Sequence, residues 1–358
     1  MMNKKYQRFF SRKKVLITGN TGFKGSWLTF IMIIMGAKVI GLSDCVPTKP
    51  SLYEILKLKK YIKQYFADIC DFNSLKKIIK NEKPDIIFHL AAQSLVSKSF
   101  KDPIQTIKTN TLGTATLLEV AKSISHNIKL VLITSDKAYQ NNEWVWGYRE
   151  NDKLGGIDLY SASKSSAENI IYAYYNSFFK NKKNISLAVA RAGNVIGGGD
   201  WSDDRIVVDL FKSWKNNTTL YIRSPESTRP WQHVLEPLSG YIKLAMELKS
   251  NSIINGEAFN FGPNQFQNNN TVKNLVDSIS SELKKSGKKL KIRFKKNNQL
   301  LESKLLSLNC EKAYNLLNWQ SKLNYSQTIN LVSCWYFNYF YNKKEIIKIT
   351  KNQIINYF

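Results

Sequence analysis

Short hydrophobic runs alternate with amphipathic stretches through the first half of the chain, a pattern typical of alternating strands and helices. Strands are predicted at 14–18, 38–42, 61–66, 85–89, 129–133 and 186–190. Helices are predicted at 27–36, 72–80, 111–122 and 161–179. The strands are apolar along their whole length and need cover on both faces, so we predict an α/β fold with a doubly wound parallel sheet.

The alternation weakens beyond residue 193, where glycine- and serine-containing loops such as 197–200 and 224–227 take over. Amphipathic helices follow, among them 275–284. We predict a larger domain at 1–193 and a smaller C-terminal α/β domain, mostly within 194–358, that binds substrate over the carboxyl edge of the sheet. Some segments of the second part are expected to return to the first domain.

The formal net charge of +26 would fit a nucleic-acid surface. The lysines are spread along the chain, however, and the nearest approach to a basic stripe, 284–296, is better interpreted as an exposed helix end and strand. We therefore predict no nucleic-acid partner. A positive field would still attract an anionic small substrate.

The lengths of the apolar runs and the spacing of the cysteines limit which other classes of protein are possible. The longest apolar window, 27–36, is shorter than the roughly 20 residues of a membrane span. The basic N-terminal segment lacks the features of an export signal, so a cytoplasmic location without membrane contact is expected. Four scattered cysteines and three separated histidines predict neither a disulfide framework nor a metal site.

Three glycines, Gly19, Gly22 and Gly25, lie between the first predicted strand and helix at GxxGxxG spacing. Glycine lets backbone N–H groups at a helix N-terminus approach a pyrophosphate. The turn, with Thr21 and Phe23, therefore predicts a dinucleotide site of the Rossmann type. A purely structural strand–helix turn is the alternative.

Acidic residues after the next two strands are candidates for the adenosine half of a dinucleotide. Asp44 lies near where an acid would hold the ribose and favour NAD over NADP, although Ser43 occupies the more usual strand-end position. Asp68 and Ile69 could meet the adenine, and an exposed strand-end aspartate is the alternative. The predicted cofactor is NAD.

Tyr160 and Lys164 are four residues apart in a predicted helix and so share one face. An ammonium group stabilises phenolate, which allows the tyrosine to take a proton from a hydroxyl as hydride leaves the carbon. A chance pair on a solvated helix is the alternative. The glycine turn upstream, in the right order, favours a catalytic pair.

The glycine turn and the Tyr–Lys pair together resemble the extended short-chain dehydrogenase/reductase family over nearly the whole chain. Further matches are 89–93 (HLAAQ), 110–114 (NTLGT) and 191–195 (RAGNV). The resemblance implies that Ala91, Ala92, Gln93 and Asn110, with Tyr160 and Lys164, contribute to the cofactor site, and that Gln93 also meets substrate. It also implies a homodimer in which the long helices pair across a two-fold axis.

Longer stretches resemble the nucleotide-sugar 4,6-dehydratases that act on CDP-glucose. These stretches are 18–27 (TGNTGFKGSW), 135–139 (SDKAY), 143–150 (EWVWGYRE), 194–201 (NVIGGGDW) and 228–240 (TRPWQHVLEPLSG). The resemblance implies an NAD-dependent lyase that makes CDP-4-dehydro-6-deoxy-D-glucose, a step toward deoxysugars of surface polysaccharides. Another nucleotide-sugar dehydratase, a 4-epimerase, or a non-catalytic dinucleotide- or RNA-binding member are the alternatives.

Ser135, Asp136 and Lys137 follow the fifth predicted strand. A 4,6-dehydratase needs an acid near C6 and a base near C5 besides the groups that oxidise C4. By resemblance, Ser135 bonds the C4 oxygen, Asp136 protonates the departing C6 hydroxyl, and Lys137 stands where dTDP-sugar enzymes carry glutamate. An ion pair between Asp136 and Lys137 would oppose both proton transfers, and a plain pair that caps the strand is the structural alternative.

Two arginines are candidates for clamping the substrate pyrophosphate, because a guanidinium fork matches phosphate oxygens. They are Arg205 and Arg229, and each could instead form an ordinary surface pair. Asn194 would donate to a phosphate or sugar oxygen. His233 is expected to be structural.

Overall fold

The computed structural model describes residues 3–249, 252–263, 271–284, 289–294 and 305–358. The strands in these ranges are β1 (Lys14–Thr18), β2 (Lys38–Ser43), β3 (Lys63–Phe66), β4 (Ile86–His89), β5 (Ile128–Ile133), β6 (Ile185–Ala192), β7 (Val195–Ile196), β8 (Thr219–Ile222), β9 (Gln232–His233), β10 (Ala258–Phe261) and β11 (Lys291–Phe294).

The α-helices in the same ranges surround these strands. They are α1 (Lys4–Phe10), α2 (Phe23–Ile34), α3 (Leu52–Ile55), α4 (Phe72–Glu82), α5 (Val96–Lys101), α6 (Pro103–Ile107), α7 (Gly113–Lys122), α8 (Leu159–Tyr174), α9 (Ile206–Asn216), α10 (Leu235–Glu247), α11 (Val272–Lys284), α12 (Glu311–Leu317), α13 (Tyr325–Tyr341) and α14 (Ile346–Tyr357). Short 3-10 turns lie at Leu58–Lys60, Asp136–Ala138 and Lys343–Glu345, and π-helical turns at Lys108–Leu112 and Tyr175–Phe179.

Seven parallel strands form the main sheet in the order β10-β6-β5-β4-β1-β2-β3. The chain runs outward from β1 to β3 on one side and then crosses to β4 and beyond on the other. Val15 of β1 accordingly pairs with Val39 of β2 and with Ile86 of β4. This order confirms the predicted doubly wound sheet, and it places the reversal point, where such folds bind ligands, between β1 and β4.

Side chains of β1 alternate between two cores, one on each face of the sheet. Val15 and Ile17 pack with Trp27 of α2 in the first core, whereas Leu16 packs with Leu118 of α7 in the second. Helices therefore cover both faces, which explains why the strands are apolar throughout.

The chain beyond residue 193 contributes to two further small sheets as well as to the main one. β7 pairs with β9 and β8 with β11, while β10 joins the main sheet beside β6. The domain boundary after residue 193 stays a prediction.

The structure adds features that the hydrophobic pattern did not predict. The basic N-terminal segment forms α1, whose Phe10 is fully buried. The predicted helix at 111–122 begins within a π-helical turn, and the one at 161–179 ends in another. Both deviations are local changes in hydrogen bonding, to which residue periodicity is insensitive.

Two further predictions concern the basic segment 284–296 and the presence of membrane-spanning helices. Of the basic segment 284–296, residues 285–288 and 295–296 lie outside the described residues, and the remainder includes the end of α11 and β11. No helix within the described ranges combines the length and apolarity needed to cross a bilayer.

Candidate active site

The glycine turn after β1 is closely packed backbone. Gly19 has a φ of +70°, and a Cβ atom there would lie 2.7 Å from the backbone nitrogen of Ala91. A Cβ on Gly25 would lie 2.0 Å from the Gly19 carbonyl oxygen. Gly22 is the N-cap of α2 and contributes no side chain to the helix N-terminus. This cradle fits the pyrophosphate of a dinucleotide.

Side chains tie the turn to the end of β2. The Thr21 hydroxyl donates to the Cys45 carbonyl oxygen at 2.6 Å, and the Thr21 N–H donates to the Ser43 hydroxyl at 3.3 Å. Ser43 in turn donates to Asn20 at 2.9 Å. Asp44 follows β2 as an exposed residue whose carboxylate accepts from the Cys45 N–H at 2.8 Å. Asp44 thus lies close to the turn, and its role toward an adenosine ribose stays a prediction.

The segment after β3 lies at the same edge of the sheet. Asp68 is partly exposed and accepts from the Cys70 N–H at 2.9 Å, and its carboxylate is 3.2 Å from the Lys108 ammonium. The Cys70 N–H and Lys108 together lower the pKa of Asp68. Ile69 is buried against Gly113, where a Cβ would lie 2.6 Å from its Cγ2.

The segment from Ala91 to Gln93 is fixed by protein hydrogen bonds. The Ala91 N–H donates to the Thr18 hydroxyl at 3.1 Å, and Ala92 is partly exposed beside it. The Gln93 N–H donates to the Asn110 side chain at 2.8 Å. The Gln93 side-chain amide also donates to the Thr106 hydroxyl, so the side chain stabilises this loop.

Asn110 lies in the π-helical turn before α7 and braces two parts of the site. Its amide nitrogen donates to the Gln93 carbonyl oxygen at 3.1 Å and to the Ser163 hydroxyl at 2.8 Å. Ser163 stands between Tyr160 and Lys164 on α8. Any contribution of Asn110 to cofactor binding would therefore act through the positions of Gln93 and α8.

Local sequence sets the start of α8. Asp158 is the N-cap, and its carboxylate accepts from the N–H and the hydroxyl of Ser161 at 2.9 and 2.6 Å. This start puts Tyr160 in the first turn and Lys164 one turn later, with exposures of only 7% and 6%. The predicted shared face is therefore present, and it is buried.

Burial disfavours the charged form of both groups. It raises the pKa of Tyr160 to about 12, while the nearby Ser135 hydroxyl and the charge of Arg205 act to lower it. Burial and the nearby Lys24 lower the pKa of Lys164 to about 7, with Glu168 opposing. Burial and the charge of Arg205 lower the pKa of Lys24 to about 8, and the charge of Asp136 acts in the other direction.

Ser135, Asp136 and Lys137 form a tight 3-10 turn at the carboxyl end of β5. The Ser135 hydroxyl donates to Asp136 Oδ1 at 2.8 Å and accepts from the Lys137 N–H at 3.2 Å. Asp136 is 2% exposed, and its Oδ2 is buried without a hydrogen-bond partner. A Cβ on Gly193 would lie 2.1 Å from that oxygen, so a larger residue there would displace the Asp136 carboxylate.

No ion pair joins Asp136 to Lys137 in the part of the chain that the structure describes. The alternative of a plain strand-capping pair therefore lacks its defining contact. Asp136 is directed toward Gly193, and its unpartnered buried oxygen keeps an unused capacity to accept a hydrogen bond.

The proposed substrate side chains lie in different surroundings. Arg205 donates to the Ser94 carbonyl oxygen at 3.3 Å, and its charge influences both Lys24 and Tyr160. Arg229 donates to the Thr228 carbonyl oxygen at 2.8 Å. Asn194 is partly exposed, and its carbonyl oxygen accepts from the Gln232 N–H at 3.2 Å. Arg205 is thus close enough to Lys24 and Tyr160 for its charge to affect their pKa values.

His233 is fully buried, and burial lowers its pKa to about 3. Its ring packs edge-on against Trp27 at 5.9 Å between centroids, as expected for a structural histidine. Among the described residues, no group of three or more His, Cys, Asp or Glu side chains could hold a metal ion.

The sequence prediction missed a buried ion pair between Glu168 of α8 and Arg191 of β6. A signal was present: Glu168 is four residues after Lys164, on the same helix face, and Arg191 begins one of the matched stretches. Neither residue was selected because an isolated charge in a helix or strand does not reveal its partner.

Residues 16–332 match the GDP-mannose 4,6 dehydratase family. The chain belongs to this family. It is 43% identical over 334 residues to CDP-glucose 4,6-dehydratase of Salmonella typhimurium, covering 92% of each protein. The predicted resemblance to nucleotide-sugar dehydratases is confirmed.

Solved structures of this fold include a dehydratase and an epimerase. The dTDP-glucose 4,6-dehydratase of Bacillus anthracis, solved in complex with NAD, aligns with a TM-score of 0.77 at 24% identity, over 94% of this chain and 99% of that one. An epimerase of Methanothermobacter thermautotrophicus aligns with a TM-score of 0.79 at 22% identity, over 95% and 97%. These likenesses confirm the fold.

Proposed function

We propose that this chain is an NAD-dependent lyase that converts CDP-D-glucose to CDP-4-dehydro-6-deoxy-D-glucose and water. One arrangement carries the proposal: the Ser135–Asp136–Lys137 turn packs against α8, which carries Tyr160 and Lys164, and the Ser135 hydroxyl is close enough to Tyr160 to favour its phenolate. An epimerase has no need of the additional acid and base. The identity to a CDP-glucose 4,6-dehydratase supports the choice of nucleotide.

The cofactor would lie across the reversal point of the sheet. The turn from Gly19 to Gly25 would hold the pyrophosphate, Asp44 the adenosine ribose, and Asp68 with Ile69 the adenine. The loop from Ala91 to Gln93 would line the path to Tyr160. When bound, NAD supplies a reversible hydride acceptor, so the overall reaction needs no external oxidant.

Tyr160 would take the proton from the C4 hydroxyl while the Ser135 hydroxyl bonds the same oxygen. Because burial disfavours the phenolate, nearby positive charge must stabilise it. Lys164 and Arg205 are the groups placed to do so. The sugar then carries a C4 carbonyl, which makes the proton on C5 acidic.

The elimination would fall to the neighbouring pair. Lys137 takes the C5 proton, and Asp136 gives a proton to the C6 oxygen, which leaves as water. The hydrogen from C4 ends on C6, and a proton returns to C5. The net change is therefore loss of one water, with the C4 carbonyl retained.

The nucleotide would lie over the carboxyl edge of the sheet. Arg205 and Arg229 would contact its diphosphate, and Asn194 a phosphate or sugar oxygen. Gln93 would approach the sugar through its loop. We propose that the chain beyond residue 193 supplies most of this substrate-binding half, and that the enzyme acts in the cytoplasm.

A homodimer through the long helices is part of the same proposal. Apolar side chains are exposed along this face: Phe100 (55%), Ile104 (74%), Ile107 (40%), Leu112 (53%), Leu159 (40%) and Tyr172 (69%). A two-fold contact would cover them. Light scattering of the purified protein is expected to give twice the chain mass, and a monomer at micromolar concentration would contradict this.

The test of the reaction is incubation of the purified protein with CDP-glucose and NAD, followed by mass spectrometry of the nucleotide sugar. Loss of one water without net cofactor reduction is expected. Asp136→Asn should slow water loss by about 10²- to 10⁴-fold, the usual contribution of a positioned acid. An unchanged mass with a changed sugar configuration would instead identify an epimerase.

A further inference from the structure

Four buried side chains from separate parts of the chain form one hydrogen-bonded network around the catalytic turn. The Thr134 hydroxyl donates to Glu168 Oε1 at 2.6 Å. Arg191 Nε donates to both Glu168 oxygens at 2.9 Å, and Arg191 Nη1 donates to the Tyr139 hydroxyl at 2.6 Å. We call Thr134, Tyr139, Glu168 and Arg191 the Glu168 network; none is more than 6% exposed.

The Glu168 network brackets the residues that the proposed reaction uses. Thr134 directly precedes Ser135, and Tyr139 comes two residues after Lys137. Glu168 lies one helical turn beyond Lys164 on α8. The network therefore fastens both ends of the turn at 135–138 to the helix that carries Tyr160 and Lys164, without being part of either catalytic group.

Further hydrogen bonds hold the outer side of this network. The Tyr139 hydroxyl donates to Asn260 Oδ1 of β10 at 2.8 Å, and Arg191 Nη1 also donates to the Glu150 carbonyl oxygen at 2.9 Å. The Asn260 N–H donates to the Glu150 carboxylate at 2.8 Å. With its polar groups satisfied from several elements, the network is rigid.

Stability alone is a poor reason for such an arrangement. A buried ion pair must recover the desolvation cost of two charges, and apolar replacements of similar shape are often as stable. What an apolar core would not supply is a fixed distance and direction between a strand end and a helix face, which hydrogen bonds do supply.

We propose that the Glu168 network is a positioning device that holds the elimination groups, Asp136 and Lys137, in register with the oxidation groups, Tyr160 and Lys164. The inference rests on the proposed function. In the intact enzyme, the sugar oxidised at C4 meets its acid and base at once. When the network is loosened, oxidation proceeds but elimination lags, and the 4-keto sugar leaves without losing water while its hydride remains on the cofactor as NADH.

The experiment compares Thr134→Val and Tyr139→Phe, which each remove one hydroxyl and keep the side-chain shape. Enzyme in excess is mixed with NAD and CDP-glucose, and the nucleotide sugars are separated by mass. The measured quantity is the ratio of sugar lighter by two hydrogens to sugar lighter by one water. We expect this ratio, with a matching NADH absorbance, to rise about tenfold in both variants, as the loss of a hydrogen bond to a charged group would allow.

Matched controls separate positioning from loss of stability. Thr350→Val removes a buried hydroxyl that accepts from Trp335 Nε1 at 2.9 Å, and Tyr357→Phe removes one that donates to the Glu236 carboxylate at 2.7 Å. Both lie outside the site and should keep the wild-type ratio even where they lower the unfolding temperature. Thr134→Ser retains the hydroxyl and should restore the wild-type ratio.

The possible outcomes distinguish failure of the positioning role from failure of the proposed function. Wild-type product ratios in Thr134→Val and Tyr139→Phe would overturn the positioning role and leave the dehydratase proposal standing. If Thr134→Val does not fold, Tyr139→Phe alone decides the question. If the wild-type protein forms product from CDP-glucose without losing water, or forms none, the proposed function fails first and this inference fails with it.

Discussion

The glycine turn and the turn at 135–138 lie at the same edge of the sheet but place opposite demands on side chains. In the glycine turn, backbone packs on backbone, and a Cβ on Gly19 or Gly25 would come within 2.7 or 2.0 Å of main-chain atoms. Around the catalytic turn, side chains meet partners 34, 52 and 121 residues away. At Gly19 and Gly25 a side chain would clash with the backbone, whereas the catalytic turn needs particular distant side chains as hydrogen-bond partners.

Of the changes predicted here, Tyr160→Phe should have the largest effect, and it acts on the catalytic residues rather than on the glycine turn. Removing the proton acceptor is expected to lower kcat by about 10²- to 10⁴-fold. Cofactor binding should persist, because the glycine turn is untouched, and this is measured by titrating tryptophan fluorescence with NAD. Tyr61→Phe, at an exposed position before β3, is the control. A Tyr160→Phe enzyme with the wild-type rate would remove Tyr160 from the proposed mechanism.

Gly25→Ala should instead weaken cofactor binding, because it changes the glycine turn and not the catalytic residues. Its new methyl group would meet the Gly19 carbonyl oxygen at 2.0 Å, so the backbone must shift. We expect a loss of about 1–3 kcal/mol in the free energy of unfolding, together with weaker NAD binding. The measurements are urea unfolding and the same fluorescence titration.

Gly22→Ala is the matched control for stability at this turn. Its Cβ would lie 3.4 Å from the same oxygen, and its φ of −72° suits any residue. The free energy of unfolding should therefore stay near the wild-type value. Equal losses from Gly22→Ala and Gly25→Ala would show that close packing is not what makes the turn sensitive.

A pH dependence of stability is expected from Lys164, which is buried on α8. Burial lowers the pKa of Lys164 from 10.5 to about 7. Between these values the unfolded chain binds more protons than the folded one, so this residue makes stability rise with pH. Lys164→Met should therefore stabilise the protein more at pH 6 than at pH 10. Urea unfolding of both proteins at the two pH values measures this, with exposed Lys273→Met as the control.

An identical wild-type-to-variant difference at pH 6 and pH 10 would contradict the lowered pKa of Lys164. Comparing two proteins at each pH cancels the titration of other residues. Gly22→Ala, which disturbs neither close packing nor a charged group, should show no such dependence.

Much of the fold was predictable because its signals are local. The strands at 14–18 and 129–133, the turn at Gly19 and the shared face of Tyr160 and Lys164 follow from residue spacing along the chain. Short or irregular elements were not predictable in this way. α1 is seven residues long, and the π-helical turn at Asn110 changes hydrogen bonding without changing the apolar pattern.

The roles in the candidate site divide in a similar way. Ser135, Asp136 and Lys137 are consecutive in the sequence, but the sequence left open whether Asp136 forms an ion pair with Lys137. The structure directs Asp136 toward Gly193 instead, 57 residues along the chain. It also joins Glu168 to Arg191, although each charge alone is compatible with a solvated surface.

The sequence by itself determined the doubly wound sheet, the glycine cradle and the Tyr–Lys helix face. These depend on periodicity and on conformational limits of single residues, which act over a few positions. Only the tertiary structure decided which charges are buried, that Asp136 keeps one oxygen unpartnered, and that Thr134 and Tyr139 fasten the catalytic turn to α8 and β6. Those properties depend on desolvation and on contacts between distant segments, which exist only once the chain has folded.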